Sequence, residues 1–406
     1  MDELIAKYYF EPCGVSATKA TRQIMAESSI GTWTDIQTLT AKMRKHLGPR
    51  TVQYSKKTKT LQIAYPLNLF ELGNVPQLLS ALAGNIFGMK IINNLRLVDI
   101  KLPKNYVKSF RGPRFGFKGV RKILGIKKRP LLGTIIKPKV GLRPKEFAAV
   151  AYEAYSGGLD FVKDDENLTS LKFCKFEDRV VKTLETVDRI KEEQGRTVLY
   201  AANVTAPSRL MIKRADFVRA HGGKCIMLDI LTAGFSALQE LRAQNYKMVI
   251  HAHRAGHAAV TRSRRHGISM YMIAKLARLI GADQLHIGTA VGKMEGSKQD
   301  VMLIKDVIQR QHVAAGVYLS QDWYGLRPVF AVASGGLYPS LVPEVVKIMG
   351  NDIVIQAGGG VHGHPDGTGA GARAMRQALD ATLSGTPLNK YARTHNELKE
   401  ALKKWR

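Results

Sequence analysis

From residue 130 onward the chain alternates two hydrophobic patterns. Short apolar runs, "PLLGTII", "DFVKD", "TVLYAANVT", "CIMLDI", "MVIHAHR", "QLHIGT", "VFAVASGG" and "IVIQAGGG", are separated by stretches whose apolar positions recur at three and four residues. Among the latter are "PKEFAAVAYEAYSGG", "RLMIKRADFVRAHGG" and "ISMYMIAKLARLIGA". Runs apolar throughout and bounded by glycine fit strands buried on both faces of a parallel sheet, and the intervening segments read as amphipathic helices. Eight strand and helix repeats predict an α/β fold, a (β/α)8 TIM barrel. The first hundred or so residues differ. "IAKYYFEP" and "TVQYSKKTKTLQIAYPL" read as strands and "VPQLLSALAG" as a helix, which predicts a smaller α+β domain. A boundary near residue 115 gives an N-terminal α+β domain, 1–115, and a barrel catalytic domain, 116–406.

Composition narrows the class. With 406 residues and 45% hydrophobic content the chain can bury a large core, which excludes a disordered or fibrous protein. "MDELIAKYYFEP" carries no basic region followed by an apolar stretch, and no segment approaches the roughly 20 apolar residues of a membrane span. A cytoplasmic protein with no membrane partner is expected. Cys13, Cys174 and Cys225 lack CxxC spacing, so neither a disulfide framework nor a zinc knuckle is supported. The net charge of +29 points to polyanions, phosphorylated substrates included. It is densest in Lys101 to Arg129, eleven Lys or Arg without an acid. That stretch reads as a solvated connector; without an RNA-binding signature or finger spacing, a nucleic-acid partner is not expected.

The polar residues interrupting the apolar runs fall at equivalent places. Lys137 and Lys139 follow the first strand, Lys163 to Glu166 end the second and Asn203 closes the third. His253 and Arg254 end the fifth, His286 lies in the sixth, Ser334 to Gly336 follow the seventh and Gly358 to Gly360 the eighth. A lone "HAHR" is ordinarily a polar strand end, and a lone "GGG" a turn. Their coincidence on six or more strand ends marks one mouth, the C-terminal end where barrels of this type carry their chemistry. In "KDDE", alternation puts Lys163 and Asp165 on one face, and the following turn can bring Glu166 to the same point. Two carboxylates make a hard oxygen site suited to Mg2+. An ammonium beside a cation is repelled, but a buried amine loses its proton readily, and the neutral amine can add CO2 to become an anionic carbamate ligand. The plain alternative is a salt bridge from Lys163 to its neighbours.

"GTIIKPKVGL", "GGLDFVKDDEN", "HAHRAGH", "HIGTAVGKMEG", "VASGG" and "QAGGGVHGHP", with "ESSIGTW" and "GNIFG" earlier in the chain, resemble the signature segments of the large subunit of ribulose-1,5-bisphosphate carboxylase/oxygenase (RuBisCO). The chain is most similar to the archaeal-type form III. The resemblance implies a ferredoxin-like N-terminal domain ahead of the barrel. It implies Mg2+-dependent carboxylation of ribulose 1,5-bisphosphate to 3-phosphoglycerate through an enediolate, with O2 competing with CO2.

Residue by residue, it implies that Lys163 is carbamylated by an activating CO2 and binds Mg2+ with Asp165 and Glu166. Lys137 would donate the final proton with Lys139 in support, and His253 would join the polar network around the reacting carbons. Arg254, His286 and Ser334 would hold the bisphosphate; Gly335, Gly336, Gly358 and Gly359 would hold the other phosphate with Thr32 and Trp33. Lys293 matches a mobile lid lysine that stabilises the new carboxylate. Glu27, Thr32, Trp33 and Asn85 would act across a homodimer, or a higher assembly of dimers, with shared active sites. Ile135 departs from the hydroxyl residue many carboxylases have there, and no role passes to it. The nearest alternative is a RuBisCO-like enolase or isomerase of a methylthio-sugar phosphate, but such relatives typically replace carboxylase residues that are all present here. A non-enzymatic polyanion-binding protein would instead show itself in a salt-dependent gel shift.

Overall fold

A computed structural model describes residues 2–291 and 297–405, which divide into two compact units. The first comprises 1–112 together with 256–280 and 310–326. Its sheet runs in the order Gly267–Ile268, Ile92–Lys101, Glu3–Pro12, Thr60–Pro66, Arg50–Ser55. The Glu3–Pro12 strand alternates as a sheet with one covered face should: Leu4, Ala6, Tyr8 and Phe10 all point into the core. Helix Ala17–Glu27 begins at Ser16, whose hydroxyl accepts from Lys19 N.

Two stretches within the 116–406 range thus cluster with the N-terminal sheet. Gly267 and Ile268 pair in parallel with Arg96 and Leu97, and Lys275, in helix Met270–Ile280, reaches Asp99 at 2.9 Å with both side chains wholly buried. Leu319 N donates to the other oxygen of Asp99, and Gln321 exchanges hydrogen bonds with the backbone of Leu102. Long-range pairings of this kind leave no local hydrophobic period, and "ISMYMIAKLARLIGA" looks from sequence like any other barrel helix.

The second unit holds eight strands: β1 Leu131–Ile135, β2 Phe161–Lys163, β3 Leu199–Asn203, β4 Cys225–Asp229, β5 Val249–His253, β6 Gln284–His286, β7 Phe330–Ser334 and β8 Ile353–Gln356. They pair in parallel in chain order and close, β8 against β1, into a barrel. The helices that bear on the site are α1 Gly116–Leu124, α2 Pro144–Ser156, α3 Phe176–Gln194, α4 Gly359–His362, α5 Gly367–Leu383 and α6 Asn396–Lys404. No helix among the described residues is long and apolar enough to cross a membrane.

The foot of the barrel is plugged. Val120 and Leu124 of α1 pack against Leu131, Phe161, Leu199, Val249 and Phe330, each the first residue of its strand. Each large side chain buried this way contributes about 1.5–3 kcal/mol. The opposite face of α1 and its flanks expose Lys118, Lys122, Lys127 and Lys128, so much of the basic run is solvated. Near the start of β2, Asp160 is buried under Arg129 (2.7 Å), Arg376 (3.1 Å) and Arg196 (3.8 Å). Burial pushes its carboxyl up, and Arg129 with Arg376 more than offsets this, leaving it below the usual range. With the foot filled by apolar and paired charged groups, the strand tops are left for chemistry.

Candidate functional site

The end of β2 sorts its charges by alternation. Asp164 turns outward, where Arg179 of α3 donates to both its oxygens (3.2 and 3.0 Å), Tyr200 Oη donates at 2.6 Å and Asn203 N at 2.8 Å. The Asp164 and Arg179 side chains are wholly buried, so this ion pair fixes the strand end from behind. Lys163 turns inward and is also wholly buried; its Nζ donates to Asp164 O at 2.8 Å, near Met227 Sδ, and lies 3.6 Å from Glu166 Oε2. Burial pushes the Lys163 amine down, against the pull of Glu166 and Asp165. Burial raises the Glu166 carboxyl, but Lys163 and His253 outweigh it and hold it at about 2.

Asp165 accepts from Lys137 Nζ at 2.7 Å on one oxygen and from Asn167 N at 3.1 Å on the other. Asn203 Nδ2 spans the turn beyond, within 3.4 Å of Asp165 O, Glu166 O and Leu168 O. Lys139 is exposed beyond the end of β1.

A histidine group faces this cluster from β5 and β6. His253 Nδ1 meets Asp229 Oδ1, at the end of β4, at 2.6 Å, which turns Nε2 toward Glu166, 3.7 Å away. His251 Nδ1 donates to Gln284 Oε1 at 2.7 Å, so its bare Nε2 accepts from His286 Nε2 at 2.8 Å. Burial above all drives both His251 and His286 well below the usual histidine range, and they stand neutral. The rings of His253 and His286 meet edge to face, 4.7 Å apart. Arg254 follows directly; a Cβ on Gly288 would come 3.5 Å from its guanidinium.

After Ser334, Gly335 and Gly336 take φ values of 122° and 67°, the left-handed region open to glycine. After β8, Gly358 lies against Lys137: a Cβ there would be 3.2 Å from Lys137 Cε. The two turns touch, since a Cβ on Gly360 would stand 2.2 Å from Leu337 O. His362 ties this turn to β1. Thr134 gives its one hydrogen to Ala357 O (2.7 Å), so His362 Nε2 donates to Thr134 at 2.9 Å while Nδ1 accepts from Thr368 at 3.0 Å.

Thus Lys137, Lys163, Asp165, Glu166, His253 and His286 come together, with Gly358 against Lys137. Glu27, Thr32, Trp33 and Asn85 belong to the first unit: Glu27 Oε1 accepts from Thr32 Oγ1 at 3.1 Å, Trp33 is 80% exposed, and Asn85 opens a 3-10 turn. Lys293 lies outside the described residues. Sequence reasoning missed Asp229, Gln284, Thr134 and His362. The signal for Asp229 was available: it ends "CIMLD" at the same height as His253, its partner in the ladder.

Residues 1–106 match the family model of the ribulose bisphosphate carboxylase large chain, N-terminal domain, and 116–405 that of its catalytic domain. The chain is 52% identical to the ribulose bisphosphate carboxylase of Methanocaldococcus jannaschii, over 97% of this chain and 95% of that protein. It is 50% identical to that of Pyrococcus abyssi, over 100% and 93%. Among solved structures it is similar to the octameric enzyme of Pyrococcus horikoshii (TM-score 0.93, 49% identity, 99% and 93% covered). It is equally similar in fold to the dimeric archaeal enzyme of Hyperthermus butylicus (TM-score 0.93, 46% identity, 100% and 96% covered). A barrel whose mouth gathers these groups, matched along nearly its whole length by such relatives, belongs to the ribulose bisphosphate carboxylase large-chain family.

Proposed function

We infer that this chain carboxylates ribulose 1,5-bisphosphate in the cytoplasm, with O2 competing for the same enediolate. The observation that carries the reading is Lys163: an amine wholly buried, pushed toward its neutral form and 3.6 Å from Glu166. Among the described residues no three His, Cys, Asp or Glu side chains are gathered as a metal site. Asp165 and Glu166 offer two carboxylates, and a CO2 adduct on Lys163 would supply a third anionic donor. Bound by these three, Mg2+ would lend the Lewis acidity that polarises the substrate C2 carbonyl.

The chain's own groups then divide the work. An oxygen on carbamylated Lys163 would take the C3 proton to give the enediolate, whose C2 would add to CO2. Water adds at C3, and cleavage between C2 and C3 yields two molecules of 3-phosphoglycerate, Lys137 protonating the last carbanion with support from Lys139. Asp229 orients His253 toward the reacting carbons. Arg254, His286 and Ser334 hold the bisphosphate, and the turns at Gly335–Gly336 and Gly358–Gly359, with Thr32 and Trp33, hold its other phosphate. Lys293, outside the described residues, would stabilise the new carboxylate. The unit is a homodimer or an assembly of dimers in which Glu27, Thr32, Trp33 and Asn85 serve a neighbouring subunit's barrel; the exposed Trp33 ring suits such a role.

The test is incubation with Mg2+, labelled bicarbonate and ribulose 1,5-bisphosphate. Acid-stable label is expected in 3-phosphoglycerate. Its absence under activating conditions would overturn the reading, and substrate enolisation without fixation would favour the enolase alternative.

A further inference from the structure

The two glycine turns at the barrel mouth come from different strands, yet they are joined from outside by one short segment. Lys404 Nζ donates to Gly363 O, at the end of the β8 turn. The next residue, Trp405, lays its ring on Tyr338, just beyond the β7 turn, with centroids 5.9 Å apart and planes 27° from parallel. Trp405 O accepts from Ser340 Oγ at 3.0 Å, and Trp405 Cζ2 lies 3.4 Å from where a Cβ on Gly363 would be. One tryptophan thereby touches both turns.

The segment is itself firmly seated. Leu398 and Ala401 of α6 are wholly buried, Glu397 accepts from Arg373 and Gln377 of α5 at 2.8 Å each, and His364 Nε2 meets Glu397 O at 2.9 Å. The turns have no slack toward each other, because a Cβ at Gly360 would also stand 2.6 Å from Tyr338 Cα. Two backbones in contact on their inner side, and bridged on their outer side by Trp405 and Lys404, can shift only together.

We propose that Trp405, with Lys404, is a positioning clamp that sets the spacing of the Gly335–Gly336 and Gly358–Gly359 turns, and so the affinity of the phosphate subsite they form. This rests on the reading of those turns as a phosphate subsite. A clamp acting through backbone position affects binding of the phosphoryl group and leaves Lys163, Asp165 and Glu166 undisturbed. Its signature is a raised KM at constant kcat.

The experiment compares the parent chain with Trp405→Ala, Trp405→Phe and Lys404→Met. Trp405→Ala is expected to raise KM for ribulose 1,5-bisphosphate about tenfold and to weaken inorganic phosphate binding, read by calorimetry, by a similar factor. Its kcat should stay within about twofold of the parent, and Trp405→Phe, which keeps the ring contact, should recover most of the loss. Should Trp405→Ala fail to fold, Lys404→Met carries the same test with a smaller shift. A folded variant with unchanged KM and phosphate affinity would overturn the proposal, as would a fall in kcat and melting temperature that Trp405→Phe does not restore. Phosphate affinity separates the two readings. If it drops in the variants of a chain that does not fix CO2, the clamp stands and the carboxylase reading falls; if the parent fixes CO2 and phosphate affinity is indifferent to residue 405, the reverse holds.

Discussion

Lys137 Nζ lies 2.7 Å from Asp165 Oδ2, so a cation just beyond β1 already sits on a carboxylate proposed to bind the metal. A metal bound there would compete with the amine for that oxygen. Lys137→Met is expected to lower turnover by about 10²–10⁴-fold, the usual range for losing an acid–base group. Mg2+ should nevertheless bind at least as tightly, measured by calorimetry in the presence of CO2. Weaker Mg2+ binding would show that Lys137 supports the metal site instead of contesting it.

Lys163→Met keeps the length of the side chain and removes the amine. Both turnover and its stimulation by CO2 and Mg2+ should disappear. The parent, incubated with 13C-labelled CO2, should show a carbamate carbon resonance that the variant lacks. A variant with near-normal carboxylation would remove Lys163 from the mechanism.

How much of this was legible in the sequence depends on the range of the contact. The eight barrel strands and the crowding of Lys163 to Glu166 at one strand end follow from local periodicity, and the structure has them where the pattern puts them. The partners of buried polar groups do not. "CIMLDI" puts Asp229 at a strand end but does not give its 2.6 Å contact with His253 Nδ1, and Gln284 in "QLHIGT" looks like a strand polar residue until His251 is found 2.7 Å away. The same holds for residues 256–280, whose pairing with Arg96 and Leu97 involves a strand of two residues, too short for any alternation to register. Lys293 was named by motif alone.

His362 gives the site a pH limit. Burial above all, with Lys137 adding to it, lowers its pKa from 6.5 to about 4. Between those values the unfolded chain binds a proton that the folded one refuses, so stability falls as pH drops from 6.5 toward 4, by up to about 3 kcal/mol. Above pH 6.5 the group contributes no slope. Denaturant titrations of His362→Gln across this interval should show a shallower acid limb than the parent; identical limbs would mean that His362 titrates normally.

Arg179 and Asp164 form a wholly buried pair. Arg179→Met strands the Asp164 carboxylate and should cost about 3–5 kcal/mol of unfolding free energy, seen as a lower denaturant midpoint. Adding Asp164→Asn removes the stranded charge and should recover part of that loss. A double variant no more stable than Arg179→Met would locate the effect in packing, for instance against Phe176, whose ring centroid lies 5.6 Å from the guanidinium carbon.

Sharing of sites between subunits is tested by mixing. Glu27→Gln and Lys163→Met chains should each be nearly inactive, yet co-expressed they should form hybrids with one intact composite site. Activity tracking the hybrid fraction is expected. Verified hybrids without activity would show that each chain completes its own site.

Asp160, at the foot of the barrel, has a consequence for the order of assembly. Its three arginines enter from distant parts of the chain: Arg129 ahead of β1, Arg196 ahead of β3, and Arg376 from α5. A nascent chain that has not yet made α5 leaves this carboxylate short of one guanidinium. Because α5 follows β8 in the chain, the third guanidinium reaches Asp160 only after the strand that closes the ring against β1 has been made. The ring thus ties its first strands to its last helix, unlike a stack of repeats in which each unit rests on its neighbour alone.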